Sequence, residues 1–428
     1  MFQLSVELYD TKDKKVVWSD RWQENWDNLV TIKGSLSDGL LKALDTKPKI
    51  EQKVNTTNPE AYEFYLKAKH KYEKRENTDD AEIARGLLQK AIELDDNLIV
   101  AKALLGTTYS HMGDYDKAME IDTLALKQAQ ALNDYKNIAY LNYSISYIYW
   151  SKGELKHSLD FNERGLKIFK KISSKFGIAL CYGHFSNIYW VKGEWSKALE
   201  YCDKQINIYN KLEDIDGVIF ATFIKATVYG AKHDYSKSIY YHNIVIKHYE
   251  KFNKKHSLAY SYNNIGKEYR QIGESETSYK FACKTYKICK ELNLKSLIPL
   301  PLLGQGWYHF ENQNYDDALD FFTQSLTIQK ETKLKIHHIP LLTNTLIALC
   351  NKTLGKRYDY DSIYQLIEKT PYIPYYLHYF IYKLIEDLSY LKTAFKQVHE
   401  LIDSLEDGAK FLSYPIPKAI VEEWEKVK

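Results

Sequence analysis

The decapeptide YWVKGEWSKA, from Tyr189 to Ala198, decides the fold because its pattern returns every forty residues. An aromatic residue is followed four positions later by a glycine, then by an acidic residue, a second aromatic residue and a small residue. The other copies are YSHMGDYDKA (Tyr109 to Ala118), YWSKGELKHS (Tyr149 to Ser158), YGAKHDYSKS (Tyr229 to Ser238), YRQIGESETS (Tyr269 to Ser278) and HFENQNYDDA (His309 to Ala318). Six copies without an insertion predict stacked supersecondary units of a solenoid.

Each position of the repeat has a physical requirement. Two sets of small residues predict close helix crossings: Gly106, Ser146, Ser186, Ala226, Gly266 and Gly306 on the first helices, and Ala118, Ser158, Ala198, Ser238, Ser278 and Ala318 on the second helices. The glycines at 113, 153, 193 and 273 predict left-handed turns after the first helices. His233 and Gln313 replace that glycine, so we expect their turns to be strained or differently shaped.

The segments before the repeats have a different pattern. Residues Phe2 to Tyr9 and Val16 to Trp22 alternate apolar and polar residues and predict a β-hairpin, and Asn28 to Leu44 predicts a helix. Either they pack on the repeats, or residues 1–46 are the remnant of an upstream α/β domain; we favour the second because a strand begins directly after Met1. Residues 47–58 are polar and predict a linker.

Helical periodicity begins at Pro59 and continues to residue 337, which gives seven helix pairs including a first, shorter one. After His337 the repeat weakens, and Pro371 and Pro374 interrupt it. Residues 338–428 therefore predict a degenerate repeat followed by a helical cap, which a solenoid needs to cover its last apolar face.

Composition excludes several classes of function. The chain has 428 residues with a net charge of +3, which gives no footprint for nucleic acid or for an anionic membrane. Its five cysteines form no zinc pattern, so we expect buried thiols and no metal or other cofactor. No segment has the length of a membrane span and no signal peptide opens the chain, which predicts a soluble, cytoplasmic protein.

The sequence contains no catalytic motif. We find no phosphate-binding glycine loop, nucleophile elbow, paired catalytic carboxylates or HExxH, and adjacent His337 and His338 would point in different directions on a helix. We therefore expect no enzymatic activity. An enzyme with an unrecognised site in a terminal segment stays open as an alternative.

The repeat resembles the tetratricopeptide repeat over residues 59–337, because the order small, aromatic, glycine, aromatic, small is typical of that family. The resemblance implies an all-α, right-handed helical-hairpin solenoid, here with an N-terminal β-hairpin plus helix and a C-terminal helical cap. The period of 40 exceeds the 34 residues of the usual repeat. Stretches such as ALNDYKN and KLEDIDG are therefore expected to lengthen the helices and the links between units.

The same resemblance implies a concave groove lined by the first helices of successive units, in which a protein or peptide segment binds. It places nine residues in that groove: Tyr143, Tyr147, Trp150, Asn187, Trp190, Asn263, Lys267, Arg270 and Trp307. The rings would bury apolar anchors, the asparagines would meet backbone amides, and the two cations would meet a carboxylate. The alternative is that several rings simply pack between units, since the chain contains 37 tyrosines.

The ends of the chain resemble a second group. The ending FLSYPIPKAIVEEW, from Phe411 to Trp424, and the entry NPEAYEFYLKA, from Asn58 to Ala68, are similar to those of bacterial adenylate/guanylate cyclases that carry tetratricopeptide repeats. No cyclase catalytic domain is present, so only an accessory role is implied. The leading hypothesis is a protein-binding scaffold of a bacterial signalling protein. The alternative is a regulatory spacer that acts through its terminal segments, and self-association is left open.

Overall fold

The computed structural model of the chain describes residues 2–10, 15–24, 58–75, 78–332 and 338–428. Two compact units are present, Met1–His184 and Phe185–Lys428. The N-terminal strands β1 (Phe2–Asp10) and β2 (Lys15–Glu24) pair antiparallel, with an irregularity between Leu8 and Tyr9. This agrees with the predicted hairpin. The predicted helix 28–44 and most of the predicted linker lie outside the described residues.

The described part of the first unit contains six helices and the beginning of a seventh. Their bounds are α1 Pro59–Glu73, α2 Thr78–Leu94, α3 Ile99–His111, α4 Tyr115–Ala131, α5 Tyr135–Ser151, α6 Leu155–Lys171 and α7 Lys175–Val191. The boundary between the two units falls within α7. Helices that follow one another in sequence pack as neighbours, α1 on α2, α3 on α4 and α5 on α6, which is the helical-hairpin arrangement of a solenoid.

The second unit continues this arrangement and then departs from it. Its helices are α8 Trp195–Lys211, α9 Ile215–Ala231, α10 Tyr235–Lys251, α11 Lys255–Gln271, α12 Ser275–Glu291, α13 Pro299–Glu311, α14 Tyr315–Thr332, α15 His338–Thr353, α16 Tyr360–Lys369, α17 Tyr375–Ile385, α18 Leu388–Ser404, α19 Gly408–Leu412 and α20 Pro415–Val427. The fold is therefore an all-α repeat of helical hairpins with a small N-terminal sheet, as predicted.

Turns of a single type separate the repeated helices. A residue with positive φ occurs every twenty residues at 113, 133, 153, 173, 193, 213, 233, 253, 273, 293 and 313. At Gly193 the amide donates to the Trp190 carbonyl (3.0 Å), and the next amide, of Glu194, donates to the Tyr189 carbonyl (2.9 Å). These bonds satisfy the carbonyls left free at the helix end. Most links between hairpins are thus as short as the turn inside a hairpin, whereas the link between α12 and α13 is longer.

The structure corrects one expectation about these turns and selects between the two alternatives of another. The extra residues of the 40-residue period lengthen mainly the helices, most of which have 17 residues; among the links, the one between α12, which ends at Glu291, and α13, which begins at Pro299, is long. The turns at His233 and Gln313 are also not differently shaped, since their φ angles of 60° and 61° match the left-handed geometry of the other turns. A side chain at such an angle costs about 1–2 kcal/mol relative to the right-handed region, so strain without a change of shape is the outcome.

The small residues lie at helix crossings, as predicted. Ala198 is fully buried, and a Cβ atom on Gly306 would lie 2.6 Å from the Phe322 ring. The serine pair bonds across its crossing: the Ser146 hydroxyl donates to the Ser158 carbonyl (2.6 Å), and the Ser158 hydroxyl donates to the Ser146 carbonyl (2.9 Å). Larger side chains at these sites would separate the helices.

Candidate functional site

Three of the predicted groove residues lie on α5 of the first unit and form an aromatic cluster. The Tyr147 ring lies 5.6 Å from Trp150, and Tyr143 packs edge-on to His184 at 5.7 Å. Trp150 also contacts His184 (6.3 Å), and its buried Nε1 has no hydrogen-bond partner among the described residues. Trp150 therefore contributes to packing between repeats, as the alternative interpretation expected.

Tyr143 and Tyr147 also line a cavity of about 440 Å³ in the first unit. The sequence did not point to the other groups that line it, among them Tyr65, His111 and Lys136. His111 is fixed by a hydrogen bond between its Nδ1 and the Tyr72 hydroxyl (2.6 Å). Burial, with a contribution from Arg75, lowers the pKa of His111, so the ring is favoured in its neutral form.

The second unit brings four of the predicted residues to one cavity of about 480 Å³. These are Trp190, Asn263, Lys267 and Arg270, which come from α7 and α11. Side chains of α9, α13 and α15 complete the apolar part of the lining, including Leu300, Leu303, Ile339 and Leu342. The first helices of the hairpins, α7, α9, α11, α13 and α15, thus supply most of the cavity wall.

The remaining wall comes from a segment that the sequence did not connect with the groove. Four residues at the start of the C-terminal helices, α17 to α20, line the cavity: Tyr372, Pro374, Tyr375 and Tyr376. Residues Pro371 to Pro374 form no helix, and the Gln397 amide donates to the Ile373 carbonyl (3.1 Å). The predicted open groove is therefore closed on this side by the chain's own C-terminal part.

Trp307 needs correction as a groove residue. Its side chain is only 3% exposed, and the Phe380 ring of α17 packs against it at 5.2 Å. The Arg270 guanidinium lies over the Trp307 ring, 4.5 Å from the ring centre, and the indole Nε1 donates a hydrogen bond to Glu311 (2.7 Å). Trp307 therefore packs against the C-terminal helices and positions Arg270, and its ring does not line the cavity.

Burial shapes the charges near this cavity. The buried Nε of Arg270 has no hydrogen-bond partner among the described residues, and burial lowers the pKa of its guanidinium. Burial also raises the pKa of Glu268, which favours the neutral carboxyl, although Lys267 and Arg270 oppose the shift. Glu311 and Glu268 favour the charged form of Arg270 and so oppose the effect of burial.

The C-terminal helices are fixed at the α9–α10 turn. Lys232 pairs with Glu406 (2.7 Å), and the Lys410 ammonium donates to the Ser236 hydroxyl (2.8 Å). Between these polar contacts, the His233 ring packs on Phe411 at 5.1 Å, and its Nδ1 bonds to the Tyr235 hydroxyl (2.7 Å). Burial, assisted by Lys267, lowers the pKa of His233 to about 4, so the ring is neutral near pH 7.

The nine predicted residues thus separate into groups. Tyr143 and Tyr147 line the first-unit cavity; Trp190, Asn263, Lys267 and Arg270 line the second-unit cavity; Trp150, Asn187 and Trp307 line neither. Sequence reasoning missed His233, which lines the second-unit cavity and packs on Phe411, although its replacement of a repeated glycine was a usable signal. No set of three potential metal ligands occurs among the residues that the structure describes. Within the same ranges, no helix has the length and apolarity to cross a membrane.

Comparisons with known proteins agree with this architecture. A family model described as tetratricopeptide repeat matches residues 103–134. No curated protein matches the chain. The matched segment is one of the regularly spaced helical hairpins, and the solved structures below share the helical-hairpin fold.

Two solved structures show the likeness. One is a signal transduction ATPase with numerous domains from Pyrococcus horikoshii, which has a tetratricopeptide repeat sensor; identity is 16%, the TM-score is 0.56, and 81% of this chain and 52% of that chain are covered. The other is a Rap protein complexed with competence and sporulation factor, with 13% identity, a TM-score of 0.54, and coverage of 86% and 100%. The chain thus spans about half the length of the first protein.

Proposed function

We propose that this chain is a non-catalytic scaffold that binds a protein or peptide segment in the second-unit cavity. The observation that carries the proposal is the convergence of Trp190, Asn263, Lys267 and Arg270 on one concave site. Asparagine amides there suit the backbone of an extended segment, and the tryptophan and leucine side chains suit an apolar anchor. The Rap protein of similar fold was solved with a bound factor, which supports a binding role.

The cellular role proposed here is that of the regulatory or interaction part of a bacterial signalling protein. The repeat sensor of the Pyrococcus protein gives one example of this fold in signalling. The free cysteines of the described chain, four of them buried, suit a reducing cytoplasm. Residues 59–337 would act as the binding array and residues 338–428 as its cap.

The experiment is selection of binders from a random peptide library displayed on phage, with the full chain as bait. Peptides that bind should lose most of their affinity for Asn263→Ala, because this change removes amide hydrogen bonds in the cavity and leaves the fold intact. The matched control is Asn210→Ala on α8, an exposed asparagine away from the cavity. Peptides that bind both variants equally, or a selection without enrichment, would contradict the proposal.

A second candidate role rests on the C-terminal helices. Their contacts with the α9–α10 turn favour a regulatory module that works through its terminal segment, as the resemblance to cyclase-associated repeats implies. Under this alternative, a partner would bind α18–α20 and the cavity would be only a structural gap. The Asn263→Ala variant would then retain its partner, whereas deletion of residues 405–428 would lose it.

A further inference from the structure

The charged groups that line the second-unit cavity all have the same sign. Among its 25 described lining residues are the cations Lys267 and Arg270 and the neutral His233, and none is Asp or Glu. The chain as a whole is balanced, with 59 Lys and Arg against 56 Asp and Glu. A concave wall without acidic groups, next to two cations and two asparagines, attracts an anion.

The nearby acidic residues Glu311 and Glu268 act on Arg270, but neither lines the cavity. Glu268 is 3% exposed and packs behind Gly230, whose missing side chain makes room for it. Glu311 is occupied by the Trp307 indole and by the Ser275 hydroxyl. Lys267 is exposed, and Arg270 has a buried Nε without a partner in the described residues. Two donors are therefore available to a ligand.

The rest of the lining is mainly apolar. Trp190, Leu303 and Leu342 face the same space, and Pro301 and Pro374 add rigid apolar surface. A volume of about 480 Å³ is within the usual range for small-molecule sites and accepts a few side chains at most. Such a site discriminates by two features at once, an apolar body and a charged end.

We infer that the second-unit cavity selects an apolar carboxylate: an apolar chain that ends in, or directly adjoins, an anionic group held by Lys267 and Arg270. The inference rests on the proposed binding function and names the chemistry of its ligand. A peptide with apolar residues next to a carboxylate and a free fatty carboxylate share this chemistry. The Tyr372–Tyr376 segment would close over the apolar part.

The first test uses a fluorescent pair on the full chain. The anionic probe 1-anilinonaphthalene-8-sulfonate should bind roughly tenfold more tightly than its neutral counterpart N-phenyl-1-naphthylamine. Added salt should lower the affinity of the anionic probe only. Lys267→Glu should lower the affinity for the anionic probe by roughly fivefold or more and leave the affinity for the neutral probe unchanged. The control is Lys287→Glu, an exposed lysine on α12 outside the cavity. Equal binding of both probes, or equal effects of the two variants, would overturn the inference.

The second test separates the two sources by displacement of the anionic probe. One pair is the peptide acetyl-Ala-Leu-Phe-Leu as free acid and as amide, and the other pair is decanoate and decanol. Displacement by the peptide acid and not by its amide supports both the inference and the proposed function. Displacement by decanoate alone supports the inference and contradicts a peptide ligand. Equal displacement by peptide acid and amide overturns the inference and leaves peptide binding supported.

Discussion

His233 packs edge to face against Phe411, with ring centroids 5.1 Å apart, although the two residues are far apart in the sequence. His233 stands where most hairpins of the array have a glycine, at a φ of 60°. The strained turn residue thus provides the contact that receives the C-terminal helices. At Gln313, the other departure from glycine, the side chain is exposed and no such contact is seen in the described residues.

The two departures from glycine therefore predict opposite effects of the same substitution. Gln313→Gly should raise the free energy of unfolding by about 0.5–1 kcal/mol, because glycine adopts positive φ without a Cβ clash. His233→Gly should lower it by about 1–3 kcal/mol, since the loss of a buried ring outweighs the backbone relief. Urea unfolding of both variants measures the difference. Stabilisation by both would show that the C-terminal helices do not depend on the His233 ring.

Docking of the C-terminal helices is expected to depend on charge at the α9–α10 turn. Glu406→Lys places a third cation beside Lys232 and Lys237 and should increase amide hydrogen exchange in residues 405–414. The double variant Lys232→Glu/Glu406→Lys restores one pair and should recover much of the protection. Its control is Glu400→Lys on α18, which lies outside this contact. Identical exchange in Glu406→Lys and Glu400→Lys would contradict the docking assignment.

A charge at a helix crossing should be severely destabilising. Ala198→Glu buries a carboxylate at a fully buried position and is expected to cost about 3–5 kcal/mol. Ser196→Glu, at an exposed position of the same helix, should change stability by less than about 0.5 kcal/mol. Thermal or urea unfolding compares the two. Unchanged unfolding of Ala198→Glu would contradict the packing of the repeat.

Asp122 is expected to make the stability of the first unit depend on pH. Burial raises the pKa of this carboxyl to about 7, while the Ser144 hydroxyl opposes the shift. A raised pKa means that the folded state binds the proton more tightly than the unfolded state. Stability contributed by the protonated group is therefore lost as pH rises from about 4 through 7, on the order of 4 kcal/mol in total.

The substitution Asp122→Asn removes this titration. The variant should unfold at a higher temperature than the wild type at pH 8, and the difference should shrink or vanish at pH 4–5, where the wild-type carboxyl is protonated. Comparison of the two proteins at each pH cancels the opposite effect of His184, whose pKa burial lowers to about 4. A difference in thermal midpoint that does not change with pH would exclude Asp122 as the source.

Local regularity made much of the array predictable. The repeated glycines and the N-cap aspartates, such as Asp134 and Asp214, act within a few residues of their own position, and the small residues meet at a fixed spacing, which is 12 positions for Ser146 and Ser158. Helix periodicity and turn chemistry depend on such short distances, so they can be recognised without coordinates. The shortness of most links was missed because the sequence around residue 133 contains no glycine, and asparagine adopts the left-handed turn instead.

The sequence by itself determined the helical-hairpin repeat and placed Asn263, Lys267 and Arg270 on one helix face, because a period of 3.6 residues fixes which side chains share that face. Only the tertiary structure decided that Trp307 is buried and that Tyr372 to Tyr376 complete the cavity wall. The Lys232–Glu406 contact joins residues 174 positions apart. Such contacts depend on the complementary shapes and charges of the α9–α10 turn and the C-terminal helices after both have folded. No spacing rule in the sequence predicts this complementarity.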